Sequence, residues 1–184
     1  MTEGEQILRR YFVMNGFDGA LTALGIIIGG YIAKAAPITL ILAGLGASIA
    51  MGVSGFWIAY LTERAERTRD IKELEEQMVT DLNNTKIAKA NLWTSLIISL
   101  VDGFSPFIFS FLSIVPFFFA HVEWLAMRTA LLISMGVIFV EVVILGLFLG
   151  AVSKENKLIY ALKIIPAALL VAGLTYLLEL FTNI

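Results

Sequence analysis

Asn15-Gly16-Phe17-Asp18-Gly19-Ala20-Leu21-Thr22-Ala23-Leu24-Gly25-Ile26-Ile27-Ile28-Gly29-Gly30-Tyr31 is an apolar, glycine-studded run with one carboxylate near its start. The pattern returns at Val101-Asp102-Gly103, which leads into a second apolar run. A charge at bilayer depth costs kilocalories unless a partner, water or an ion compensates it, so such residues are functional candidates by default. The run around Asp18 therefore implies a membrane protein that handles ions.

Composition widens the same conclusion to the whole chain. Hydrophobic residues make up 59% of the 184 and charged ones only 15%, more apolar surface than a soluble domain of this size could bury. Lipid must solvate much of it. The absence of cysteine excludes disulfides, thiolate metal sites and iron–sulfur clusters. A single histidine, His121, excludes a multi-histidine zinc site within one chain. The formal net charge of −2 offers no nucleic-acid footprint.

Apolar runs long enough to cross a bilayer, about 20 residues each, fall at 15–36, 38–61, 91–119, 126–150 and 158–181. The expected fold is all-α: one polytopic transmembrane domain over 1–184, with five spans and a cytoplasmic helical insert at 62–89 between spans two and three. The first run reads as a retained span, because no small-residue cleavage site follows Arg9-Arg10. Ala35-Ala36-Pro37 turns the first pair tightly. Pro106 and Pro116 predict a kink or an early end in span three.

Basic residues set the orientation. Arg9 and Arg10 precede span one. Arg64, Arg67, Arg69, Lys72, Lys86 and Lys89 lie between spans two and three, and Lys154, Lys157 and Lys163 between or just inside four and five. The other side has Lys34 and Arg128. The N-terminus is expected in the cytoplasm and the C-terminus outside. The insert lacks Gly and Pro and predicts a helix continuing from span two, broken near Asn83-Asn84. Its acids Glu63, Glu66, Asp70 and Glu73 follow a three–four spacing and form one stripe. Pairs Glu63–Arg67, Arg69–Glu73 and Lys72–Glu76 stand at i,i+4.

Four groups of residues carry chemistry. Asp18 and Met51 lie at neighbouring depths of an antiparallel helix pair. A hard carboxylate with a soft thioether suits Fe²⁺ or a similar transition ion better than Mg²⁺ or Ca²⁺. The structural alternatives are a helix N-cap for Asp18 and packing filler for Met51. Asn15 and Thr22 extend a polar face beside Asp18. Asp102, Ser105 and Glu141 form the second group. Glu141 sits mid-span without a basic neighbour in sequence, so it is either protonated or holds an ion; Glu141 and Asp102 are the candidates for proton coupling. The acidic stripe is the third group: it either gathers divalent cations at the cytoplasmic mouth or is a solvated, salt-bridged face. Small residues are the fourth. Gly25, Gly29 and Gly30, and Gly44, Ser48 and Gly52, permit close helix contact either between copies or within one chain. An offset of 84 also carries Asp18-Gly19 onto Asp102-Gly103 and Met51-Gly52-Val53 onto Met135-Gly136-Val137, as an internal repeat would.

Arg10 with the run from Asn15 to Gly25 and then Gly29-Gly30 resembles the first-span signature of the vacuolar iron transporter family, which includes the yeast calcium-cross-complementer type. Ala50-Met51-Gly52-Val53-Ser54-Gly55 is similar to the family's second-span motif, and Tyr60-Leu61-Thr62-Glu63-Arg64-Ala65-Glu66 to its exit into an acidic helix. The resemblance implies a homodimer in the lipid bilayer that exports Fe²⁺, and Mn²⁺, from the cytoplasm in exchange for protons, with the path along the dimer interface. It implies metal contacts from Asp18 and Met51 in the membrane and from Glu63 and Glu66 at the start of the cytoplasmic helix, which Asp70 and Glu73 continue. Plant members usually carry a Glu just after the second-span glycine, where this chain has Gly55-Phe56, and their insert is longer and richer in methionine. The chain thus looks like a compact prokaryotic relative without a full soluble metal-binding domain.

The expectation is a proton-coupled divalent-metal antiporter of a prokaryotic plasma membrane, with Fe²⁺ or Mn²⁺ as cargo, no prosthetic group, no nucleic-acid partner and no enzymatic activity. Two rivals stand beside it. One is a non-transporting membrane scaffold or binding protein whose polar groups tie helices together. The other is an intramembrane aspartyl enzyme, which needs Asp18 and Asp102 to meet.

Overall fold

The computed structural model describes residues 3–78 and 86–182, all of it helix and short turns. Five helices follow one another: α1 (Glu3–Ile32), α2 (Pro37–Met78), α3 (Lys86–His121), α4 (Met127–Ser153) and α5 (Lys157–Thr182). All five are long and apolar enough to cross a membrane. In lipid a helix satisfies every backbone group within itself, so these runs leave the chain no other open structure. At 1.5 Å per residue the 42 residues of α2 extend about 63 Å, twice the hydrocarbon thickness of about 30 Å. The charged half beyond Glu63 therefore projects past the lipid. The expected break at Asn83-Asn84 lies outside the described residues.

Span three does not end at its prolines. α3 runs through Pro106 and Pro116 to His121, as membrane helices can when neighbours cover the freed carbonyls. The helix ends are sharp. Lys34, Glu123 and Lys154 each adopt the left-handed conformation, with φ of 54°, 61° and 57°. The amides after them bond back to the preceding turns: Ala35 to Gly30 (2.9 Å), Trp124 to Phe119 (3.0 Å) and Glu155 to Gly150 (3.3 Å). This is the Schellman closure, made here without glycine. Asn156 caps α5 by accepting the Leu158 amide at 3.0 Å.

Helix α3 is the centre of the bundle. α1 lies parallel to it: Gly4 stands by Thr94, Gly19 against Pro106, and Phe12 edge-on to Phe109 at 5.8 Å. α2 lies antiparallel, with Gly44 against Ile114, Gly52 against Gly103 and Gly55 against Asp102. α4 and α5 form a second antiparallel pair, closest where Gly146 meets Ala161 and Gly150 meets Lys157. Ile27, Leu40, Ile114, Phe117 and Leu145 fill the space between them. The connectivity brings the start of α1, the end of α2, the start of α3 and the α4–α5 link to one end of the bundle, and with them most of the basic residues.

The small-residue faces are used inside the chain. Gly44, Ser48 and Gly52 pack on α3, while Gly25 and Gly29 face Val171 and Thr175 of α5. Equivalent positions of the apparent repeat sit differently: Gly52 is pressed against α3, whereas Gly136 faces open space.

Candidate functional site

Glycine sets the position of Asp18. A side chain at Gly19 would strike the Pro106 backbone, and one at Gly16 would strike Phe109 and Ser105. These glycines press one face of α1 onto α3, and Asp18, about 100° round the helix from Gly19, is left exposed on the outside. It lies 14 residues, about 21 Å, from the far end of α1 at Ile32, in the apolar part of the helix. It makes no hydrogen bond or ion pair to another described residue. Met51 stands beside Gly52, which meets Gly103 and Phe107 of α3. Both glycines thus abut the 103–107 stretch of α3, so Asp18 and Met51 are level in the bundle. Met51 is half-buried.

Asp102 takes the opposite environment. It is buried, accepts a hydrogen bond from the Asn15 amide, and lies against the open face of Gly55. Asn15 also donates to the Tyr11 carbonyl at 3.1 Å. Asn15 therefore serves the α1–α3 contact rather than a face shared with Asp18. Ser105 reaches across to the Phe12 carbonyl at 2.7 Å. The charges of Glu63, Arg10 and Asp102 act on the Tyr11 phenol, and Arg10 stands over its ring at 5.5 Å. Asp18 faces out of the bundle while Asp102 is buried against Asn15, and no hydrogen bond joins the two carboxyl groups.

The acidic stripe divides. Glu63 is buried at 3% exposure, while Glu66, Asp70 and Glu73 are exposed. Glu63 turns towards the base of α1, near Tyr11; the other three face solvent beyond the lipid. Arg69 and Glu73 form the expected ion pair at 2.7 Å. It raises the Arg69 pKa above its ordinary value, although a pair so exposed adds little stability. Among the described residues no three His, Cys, Asp or Glu side chains come together around a common point where a metal ion could sit.

A file of buried polar groups runs along α3: Ser95, Ser99, Asp102, Ser105, Ser110 and Ser113. Ser48 of α2 bonds to Ser110 at 2.7 Å and to its own Gly44 carbonyl at 2.7 Å. Ser113 donates to Glu141 Oε2 at 2.9 Å, while Glu141 Oε1 and Ser134 Oγ are buried without a partner. Asp102, Ser105 and Glu141 stand out in the sequence, and Ser48 does so as a small packing residue, but Ser110, Ser113 and Tyr11 do not. The serine spacing on α3 carried the signal. Residues 95, 99, 102, 105, 110 and 113 fall within one arc of a 3.6-residue helix.

These features define an integral membrane protein of five helices, with Asp18 facing out of the bundle and Glu63, Asp102 and Glu141 buried in it. The chain is 36% identical over 173 residues to the uncharacterized protein MJ0645 of Methanocaldococcus jannaschii, an alignment covering 92% of this chain and 87% of the archaeal one. It belongs to the same family as that protein. No protein-family model matches the chain, and no solved structure matches it.

Proposed function

We propose that this protein is a divalent-metal transporter that exports Fe²⁺, and Mn²⁺, from the cytoplasm by proton antiport. It works as a homodimer in a prokaryotic plasma membrane, N-terminus inside and C-terminus outside. The observation that carries this reading is Asp18: an exposed carboxylate on an apolar helix, without a partner among the described residues, level with a thioether. A bare carboxylate against lipid costs kilocalories. A second copy facing it would remove it from lipid, and a passing cation would compensate its charge. The first-span resemblance and the exposed acids Glu66, Asp70 and Glu73 support the same reading. Those three raise the local concentration of divalent cations at the cytoplasmic mouth, and Glu63 links them to the bundle. Among the described residues of one chain no three His, Cys, Asp or Glu side chains come together, so a complete metal site draws on both copies. Glu141 and Asp102 carry the proton.

The test is Fe²⁺ flux into liposomes holding the purified protein. Asp18→Ala is expected to abolish flux while the dimer persists on size exclusion; undiminished flux would overturn the site. A non-transporting scaffold remains the second reading, supported by the Asn15–Asp102 and Ser113–Glu141 bonds, which tie helices together. It requires that wild-type protein show no metal flux at all.

A further inference from the structure

Between α3 and α4, on the side away from α2, lies a groove of about 1030 Å³ that opens towards lipid. Its walls include Leu112, Pro116, Val140 and Ile144, and its one ionisable lining residue is Glu141. Glu141 is only 5% exposed. One carboxyl oxygen is held by Ser113 at 2.9 Å, and the other is buried with no partner. The residue lies 14 positions from the start of α4 and 12 from its end, about 21 and 18 Å, and so near the middle of the bilayer. At the outer rim Phe119 and Trp124 stand with ring centres 6.0 Å apart.

We propose that this groove is a binding site for a lipophilic organic cation, a bulky apolar molecule bearing one ammonium or phosphonium charge. The reasoning is charge complementarity at depth. A carboxyl group in a dry, apolar groove is either protonated or paired with a counter-charge, and no basic side chain among the described residues lines the groove to supply one. Its cations cluster at the helix ends, so a second copy packed on this face could not supply one either. A phospholipid amine stays at headgroup level, some 15 Å from the bilayer centre. A cation with apolar substituents can dissolve to that depth, and its bulk matches a groove at the upper end of the usual ligand-pocket range of about 300–1,000 Å³. The rings of Phe119 and Trp124 offer their faces to a cation entering from the interface. This groove is separate from Asp18, and its cation site stands whether or not Glu141 also carries a proton for metal transport.

The probe is radiolabelled tetraphenylphosphonium, added to the full-length protein in nanodiscs, with neutral triphenylphosphine oxide as control. Saturable binding of the cation by wild-type protein is expected, with affinity falling about tenfold or more in Glu141→Gln, the loss of a charge-assisted contact. The neutral probe should bind both proteins alike. Gly136 lines the groove and faces open space, so Gly136→Phe keeps the fold and is expected to block the cation. Equal affinity in wild type and Glu141→Gln would overturn the proposal, because a groove filled only by acyl chains gives that result. No saturable binding to wild type, with a change of oligomeric state in Gly136→Phe, would also overturn it and assign the face to a second copy.

Discussion

Asp18 and Asp102 share an Asp-Gly dipeptide and almost the same level in the bundle, yet one faces out and the other is buried against Asn15. What separates them is the neighbouring glycine's contact. Gly19 turns α1 so that Asp18 points away, whereas Gly103 packs on Gly52 and Phe56 and leaves Asp102 between α1 and α2. Residue type made both visible in the sequence as carboxylates in apolar runs. Facing was not visible, because a polar residue on a membrane helix has the same spacing whether it looks at a partner or a neighbouring helix. The Asn15–Asp102 bond makes a prediction at this scale. Asn15→Leu and Asp102→Leu are each expected to destabilise the bundle by about 1–3 kcal/mol. The double variant should lose less than the sum, since each single change leaves a buried group unpaired. Unfolding in mixed micelles measures this, and strict additivity would show that the two side chains do not act together.

At the scale of elements, the bundle is organised by what glycine allows. α1 and α2 both approach α3 at positions where a Cβ would collide with backbone: Gly19 on Pro106, and Gly103 on Gly52. In lipid no hydrophobic force pulls apolar helices together, so such close approach and buried polar bonds must do it. Gly19→Leu and Gly103→Val are therefore expected to lower thermal stability in detergent by about 1–3 kcal/mol or more. Gly46→Leu, at a position that faces open space, should change it by less than about 0.5 kcal/mol. Equal effects at all three would contradict this packing. The small-residue pattern was legible in Gly44, Ser48 and Gly52, but their destination was not, since spacing fits a dimer and an internal contact equally well. The continuity of α2 past the lipid was also legible, from a stretch without glycine or proline. The turning-in of Glu63 was not, because the stripe looks uniform until α1 packs beside it.

For the whole molecule, the five helices place most basic residues at one end, and the proposed orientation, which follows the positive-inside tendency, puts that end in the cytoplasm. The chain has no native cysteine, so a single introduced thiol can report its side. Glu75→Cys in the projecting part of α2 is expected to react with an impermeant maleimide only in inverted vesicles, and Glu123→Cys only in intact cells. The reverse pattern would invert the proposed orientation and, with it, the proposed direction of transport. By itself the sequence determined the helical state and the five long apolar helices, because a hydrocarbon solvent accepts only long, self-bonded apolar runs. It also marked Asp18, Asp102 and Glu141 as costly residues. Only the tertiary structure decided which of them faces out, which serine meets which carboxylate, and that a groove lies over Glu141. The reason is physical: lipid is as apolar as a protein core, so hydropathy cannot tell the inner face of a membrane helix from its outer one. That choice is made by steric fit between helices, where a missing Cβ or a facing hydroxyl lets two backbones meet.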